Sequence, residues 1–157
     1  MAVNLTDPEI AALIAEVKPL PDNYPQKIQT RPKRGHRERE LDLVGVNGSG
    51  FRLILRESAF NPLDFSVILA WLPAQSTSSF RLCRYNGKSH EHTNALESQK
   101  FYEFHVHRAT ARYQESGLRE DSFAEQTTRY QDFAGALNCL IQECGFQMPP
   151  NNQTGLF

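Results

Sequence analysis

One stretch of the chain, residues 64–74 (DFSVILAWLPA), is apolar at both its odd and its even positions. A strand with this pattern is buried on both faces, so it belongs inside a sheet and needs other strands beside it. Pro73 ends the run, because proline cannot donate to a strand ladder. The rest of the chain therefore has to supply the remaining sheet and elements to cover it.

Four further strands are predicted around this central one. Residues 40–58 (ELDLVGVNGSGFRLILRES) predict two strands joined by a glycine-rich turn at Asn47–Gly50, a common hairpin signal. Residues 79–86 (SFRLCRYN) predict a fourth strand, and residues 101–110 (FYEFHVHRAT) predict a fifth. The strand-forming residues thus occupy the middle of the chain in an unbroken series.

Helices are predicted at the two ends of this series. Thr6-Asp7-Pro8-Glu9 has the form of a capping box with proline in the first turn, and the helix it opens should end before Pro19. Ser122 and Glu125 form a second capping box, which predicts a helix that continues to Gly145. We therefore predict a single α+β domain over residues 1–157, with a twisted antiparallel sheet of about five strands and both helices packed on one face.

Composition indicates the cellular location of this domain and the partners that it can have. A formal charge of -1 excludes a global attraction to nucleic acid, so such a partner would need a local patch. Three cysteines without paired spacing indicate free thiols, and we see no secretory leader or membrane-spanning run, which predicts a cytoplasmic protein with no membrane partner. Residues 19–38 predict a basic, proline-rich surface arm, and residues 147–157 a flexible tail.

Four of the five histidines lie in residues 90–107 (HEHTNALESQKFYEFHVH), as two copies of His-x-His. Residues two apart on a strand point to the same face. If Phe104 and Val106 face the core, His105 and His107 face away from it. Pairing of the two copies in one hairpin, with residue numbers that sum to 197, would bring all four imidazoles to one patch.

A transition-metal site is one interpretation of this cluster, because imidazole is a common ligand for such metals. His90, His92 and Glu97 have the His-x-His-x4-Glu spacing that resembles the first motif of the cupins, although Arg84 and Phe104 stand where that motif has glycines. The resemblance implies a divalent transition metal as cofactor. The predicted ligands are His90, His92, His105, His107 and Glu97.

Metal-free phosphoryl transfer on RNA or a nucleotide is the second interpretation, with no cofactor. It needs a neutral imidazole as base, an imidazolium as acid and cations for the phosphate. His92 and His105 would be base and acid in either order, with His90 and His107 as orienting residues and Tyr85 as a hydrogen-bond donor. The predicted phosphate-binding residues are Arg84, Lys88, Arg108 and Arg112.

The segments RLCRYNGKSHEHTN, FYEFHVHRATARYQ and TTRYQDFAGALNCLIQECGF together resemble a family of uncharacterised small bacterial proteins with the motifs RxRYNGxSHxHxN, FHxHxAT and RYQ. More distantly, the RYNG…His-x-His stretch is similar to TumE-type toxins, which are proposed to cleave RNA as partners in toxin–antitoxin pairs. That similarity implies an antitoxin protein as partner and carries over to Arg84, Tyr85, His90 and His92.

Two alternatives without catalysis are also open. The histidines could be surface residues of the strands that form purely structural pairs with nearby carboxylates such as Glu91 and Glu103. The chain could also be a binding module for a nucleotide or for a protein. The sequence therefore predicts where the chemistry would lie and leaves the choice of chemistry open.

Overall fold

The computed structural model describes residues 4–149 and contains one large antiparallel sheet with short helices beside it. The predicted α+β class is confirmed. The predicted number of about five strands is wrong, because the large sheet has seven. Of the predicted flexible tail, residues 150–157 lie outside the described residues, whereas Gln147 belongs to a short strand.

The helices and strands have the following bounds. The helices are α1 (Asp7–Ala15), α2 (Tyr24–Lys27), α3 (Ala111–Glu115) and α4 (Phe133–Glu143). The strands are β1 (Lys18–Pro19), β2 (Gln29–Lys33), β3 (His36–Val44), β4 (Gly50–Ser58), β5 (Phe65–Leu72), β6 (Phe80–Asn86), β7 (His92–Asn94), β8 (Gln99–Phe101), β9 (His105–Arg108), β10 (Ala124–Gln126) and β11 (Phe146–Gln147).

The large sheet is open and has the strand order β10-β9-β6-β5-β4-β3-β2. Its middle strand is β5, in which Val67, Ile68 and Leu69 have no exposed surface, so the predicted central strand is confirmed. β7 and β8 form a separate antiparallel hairpin, and β1 pairs with β11 in parallel. The chain enters β9 only after the β7–β8 hairpin, and β9 then pairs with β6 and β10.

The cross-strand register divides the side chains of the sheet between two faces, because directly opposed residues share a face. One face, here called the helical face, packs against buried side chains of α1 and α4 such as Ile10 and Leu137. The other is called the open face. The helical face includes the cross-strand row Leu55, Val67, Tyr85 and Val106, and the open face includes the rows Arg56, Ser66, Asn86 and His105 and Ile54, Ile68, Arg84 and His107.

The first helix begins as predicted. The Thr6 side chain accepts from the Glu9 main-chain N–H at 3.2 Å, and the Glu9 carboxylate accepts from the Thr6 main-chain N–H at 2.9 Å. This capping box satisfies donors that the first turn of a helix leaves without partners. The prediction from the sequence is confirmed here because every contact lies within four residues of the chain.

The last helix begins later than predicted. Residues 124–126 form β10 at the edge of the large sheet, so the predicted start at Ser122 is wrong. The N-cap is Asp132, whose side chain accepts from the Gly135 main-chain N–H at 2.7 Å. The helix ends before Gly145, which has a φ of 77° and is the predicted stop.

Lys18 joins the ends of the two longer helices. Its side chain is fully buried, and its ammonium group contacts the carbonyls of Leu13 and Ile14 in the last turn of α1, that of Glu16 just after α1 and that of Cys144 just after α4, at 2.7–2.9 Å. These carbonyls lack partners within their own helices, and a cation also complements the negative end of a helix. One side chain thus stabilises both C-termini.

Residues 19–38, predicted as a surface arm, contain more regular structure than their prolines indicate. They include α2 and the edge strand β2, and β3 begins at His36. The cations of this segment pair with acids on the sheet: Arg31 with Glu40 at 3.0 Å, and Lys33 with Glu38 at 3.5 Å.

No helix within residues 4–149 is long and apolar enough to cross a membrane.

Candidate metal centre

The β7–β8 hairpin lies against the open face of the sheet. His92 pairs with Phe101 inside the hairpin, whereas His105 pairs with Asn86 of β6 and with Gln126 of β10. The single hairpin with register sum 197, which the spacing of the histidines permits, is therefore not formed. Residues 95–98 close β7 onto β8 locally, and β9 finds its partners in the large sheet instead.

Three of the four predicted histidines meet by this different route. The ring centroids of His92 and His105 are 5.2 Å apart, those of His92 and His107 are 4.8 Å apart, and those of His105 and His107 are 5.0 Å apart. One ring nitrogen from each lies within 4.8 Å of the others. The parity argument for His105 and His107 is confirmed, since both lie on the face opposite Val106.

Hydrogen bonds fix the protonated nitrogen of each ring. His105 Nδ1 lies 2.7 Å from the main-chain carbonyl of Glu103, and His107 Nδ1 lies 2.8 Å from that of Asp121. A carbonyl oxygen only accepts, so each Nδ1 carries the proton and each Nε2 keeps its lone pair. We assign His92 Nε2–H as the donor to Asn94 Oδ1 at 2.8 Å, which leaves the Nδ1 lone pair free.

Burial keeps two of these rings neutral. His105 and His107 are 1% and 4% exposed. Burial, together with smaller effects of the neighbouring His92, His90 and Arg84, lowers the pKa of His105 to about 4. Burial lowers the pKa of His107 to about 2, with a further contribution from the Arg84 guanidinium. At neutral pH these imidazoles are therefore ligands or bases and not acids.

Asn94 holds His92 in place and is not among the site residues predicted from the sequence. Its fully buried side chain accepts from His92, donates to the Ala124 carbonyl at 2.7 Å and accepts from the Ala124 main-chain N–H at 2.9 Å. It thereby joins the hairpin to β10. The available signal was its position two residues after His92, which puts both side chains on one face of β7.

Asp121 and Arg84 form a second layer beside His107. The Asp121 carboxylate is buried and lies 3.4 Å from Arg84 Nε, while Arg84 Nη2 lies 3.4 Å from His107 Nδ1. Neither carboxylate oxygen of Asp121 nor Arg84 Nε has a hydrogen-bond partner within the described residues. The predicted phosphate-binding residue Arg84 is thus adjacent to the histidines, and Asp121 is a neighbour that the sequence analysis missed.

His90 and Lys88 lie at the rim of the cluster. The His90 side chain is exposed, and its ring centroid is 6.5 Å from that of His105, outside the group of three. Lys88 forms an ion pair with Glu103 at 3.4 Å, and the carbonyl of that same residue orients His105. Both predicted site residues are therefore close to the three histidines without joining them.

Tyr85 and Arg108 are on the other side of the sheet. Each is paired across strands within the helical face, Tyr85 with Val106 and Arg108 with Cys83. The Tyr85 hydroxyl donates to the Glu143 carboxylate of α4, and burial raises the pKa of Tyr85 far above its usual value. Both residues line a cavity of about 200 Å³ between the sheet and the helices, away from the histidines.

Glu97 and Arg112 interact with each other instead of with the histidines. The Glu97 carboxylate accepts from the Tyr113 hydroxyl and from Arg112, whose guanidinium also lies over the Tyr113 ring at 5.3 Å. Glu97 is not among the side chains that meet at the three-histidine cluster. The structure therefore does not bring together the His-x-His-x4-Glu set that resembles the cupin motif.

The three histidines could hold a metal ion. Catalytic zinc sites use three protein ligands and leave a position for water or substrate, and their histidines donate the second ring N–H to a carbonyl or carboxylate. Nitrogens in a tetrahedral zinc site are roughly 3.4 Å apart, so the ring nitrogens, which lie within 4.8 Å of one another, need to approach by up to about 1.4 Å. No family model, curated protein or solved structure matches this chain.

Proposed function

We propose that the protein binds a divalent transition metal, zinc by preference, through His92, His105 and His107. The observation that carries the proposal is the convergence of three imidazoles whose ligand nitrogens lie within 4.8 Å of one another. Each second nitrogen is held by an oxygen acceptor, which is the support that metal-bound histidines generally have.

The proposed site is of the hydrolytic kind. Three histidine ligands leave one tetrahedral position open, and zinc with such a position lowers the pKa of its bound water to about 7. His92 is half-buried while the other two are buried, so the open position is reached from the side of the β7–β8 hairpin. Burial of His105 and His107 in the neutral form supports this use, because a metal needs the lone pair that a proton would occupy.

Cobalt titration tests the proposal directly. Protein purified without a histidine tag and stripped with chelator should bind one Co²⁺ per chain with the visible absorption of a tetrahedral site, and Zn²⁺ should displace it. His92→Ala should weaken binding at least about tenfold, since it removes one of three ligands. His36→Ala removes an exposed histidine of β3 and is the matched control, which should bind Co²⁺ like the unaltered protein.

His90→Ala separates the group of three from the sequence-based group of four. We expect it to retain Co²⁺ binding, because His90 lies outside the cluster. Absence of stoichiometric binding, or equal binding by the His92→Ala variant, would refute the proposal.

Metal-independent cleavage of RNA is the second candidate. Arg84 and Lys88 lie near the histidines and favour it, since they are the cations that would bind a phosphate there in exchange for their ion pairs with Asp121 and Glu103. It is the weaker proposal because the mechanism needs an imidazolium, and burial lowers the pKa of both His105 and His107. RNA cleavage that persists in excess chelator and disappears in the His92→Ala variant would favour it over the metal site.

A further inference from the structure

Arg81, beside the histidine cluster, lacks the acidic partner that other arginines of the open face have, including Arg84, which pairs with Asp121 at 3.4 Å. On the open face, Arg52 pairs with Asp42 at 2.7 Å and Arg56 with Glu38 at 2.9 Å. Within the described residues, the guanidinium of Arg81 makes neither an ion pair nor a hydrogen bond, although it is half-buried. A partly buried cation without a partner is costly unless an anion binds to it.

Arg81 belongs to the same surface as the histidines. It pairs across strands with Ala70, and Arg84 on the same strand pairs with Ile68 and His107, so both arginines are on the open face. The Arg81 main-chain N–H donates to the Glu120 carboxylate at 3.0 Å, which brings the loop of residues 116–121 alongside. That loop contributes an exposed third arginine, Arg119.

Arg84 is tied to the same loop as Arg119, because its Nε lies 3.4 Å from the carboxylate of Asp121, two residues after Arg119. Burial lowers the pKa of both Arg81 and Arg84, and the charges of Arg119 and Arg56 lower each of them further. Asp121 opposes this effect at both, and Glu120 opposes it at Arg81. Arg84 Nε remains buried without a hydrogen-bond acceptor. Arg84 is shared with Asp121, so within residues 4–149 the guanidinium groups left without an acidic partner beside this loop are those of Arg81 and Arg119.

We propose that Arg81, Arg84 and Arg119 bind a phosphate group of the substrate beside the three-histidine site. Several guanidinium groups suit a tetrahedral dianion, whereas a carboxylate is satisfied by one arginine in a bidentate pair. The inference rests on the proposed metal site in one respect: it identifies the substrate of that site as a phosphate-bearing molecule. The phosphate subsite itself consists of arginines alone.

Binding of inorganic phosphate to chelator-treated protein tests the subsite without the metal. Titration followed by phosphorus NMR should give saturable binding, and acetate should compete poorly. Arg119→Gln and Arg81→Gln should each weaken phosphate binding about tenfold, the usual cost of one charge-assisted hydrogen bond. Arg34→Gln removes an equal charge from an exposed arginine in the β2–β3 turn, and it should stay within about twofold of the unaltered protein.

The same variants separate this inference from the proposed function. Both arginine variants should retain Co²⁺ binding, and Arg119→Gln should fold normally because its side chain is exposed. Phosphate binding without Co²⁺ binding would support the phosphate subsite and refute the proposed metal site. Absence of saturable phosphate binding, equal weakening by Arg34→Gln, or no weakening in either Arg81→Gln or Arg119→Gln would overturn the subsite, whatever the metal result.

Discussion

His107 donates its Nδ1–H to the main-chain carbonyl of Asp121 at 2.8 Å, across 14 residues of chain. This bond fixes the tautomer of a buried ring and leaves the lone pair on Nε2. It also joins β9 to the loop that precedes β10. The chemistry of the site therefore depends on contacts far apart in the chain.

The metal-free protein should lose stability as the pH falls below 6.5. Unfolded histidines bind protons below that pH, whereas folded His105 and His107 stay neutral down to about pH 4 and about pH 2. The unfolded state then binds more protons, which costs roughly 1.4 kcal/mol of stability per pH unit for each histidine. Urea unfolding at pH 7.5 and pH 5.5 should differ by about 3 kcal/mol.

Two variants test the source of this pH dependence. His107→Asn keeps a donor near the Asp121 carbonyl but does not titrate, so it should remove about half of the difference. His36→Ala should leave the difference unchanged, because that side chain is exposed. Equal stability of the unaltered protein at the two pH values would contradict the assignment of buried neutral rings.

Asn94→Ala should weaken metal binding about 10- to 100-fold, the usual effect of removing a group that orients a metal-bound histidine. His92 would lose its acceptor, and the hairpin would lose its contacts with Ala124. Co²⁺ titration measures the effect, and Thr93→Ala at the adjacent exposed position is the control. Unchanged affinity in the Asn94→Ala variant would show that the asparagine does not position the ligand.

Lys18→Met should lower the free energy of unfolding by about 3 kcal/mol, because buried carbonyls at both helix ends lose their donor. Lys100→Met replaces an exposed lysine of β8 and should change little. Urea denaturation of the two variants at pH 7.5 gives the comparison. Similar midpoints for both would mean that the carbonyls find other partners.

Tyr85→Phe should leave Co²⁺ affinity unchanged, since its side chain is on the face opposite the histidines. It should lower stability by about 1 kcal/mol, because Glu143 loses a hydrogen bond. The two measurements on one variant distinguish a structural role from a role in the site. A loss of metal binding would return Tyr85 to the catalytic set that the sequence predicts.

The sequence predicts features that depend on near neighbours in the chain. The capping box at Thr6, the central strand β5 and the facing of His105 and His107 away from Val106 follow from spacings of two to four residues. The second capping box failed because Ser122 precedes an edge strand, and pairing of that strand with β9 outweighs a local helix signal.

Contacts between distant segments could not be predicted in this way. The seven-stranded order, the acceptors of the histidines and the pairing of Arg112 with Glu97 depend on how strands meet, which composition and parity do not specify. The family resemblance, RNA and an antitoxin as partners, and the choice between metal and metal-free chemistry stay predictions.

The amide of Asn94 has a consequence beyond the site. Phe123 O, just before β10, accepts from the Arg108 N–H of β9, and the Thr127 N–H, just after β10, donates to Phe104 O, just before β9. The N–H and carbonyl of Ala124 therefore point outward, and Asn94 pairs with both. At the opposite edge of the large sheet, β2 contains Pro32 among charged residues. An edge strand with unpaired main-chain groups can pair with strands of other molecules. The pairing of Asn94 with β10 and the presence of Pro32 in β2 should therefore protect the protein against aggregation.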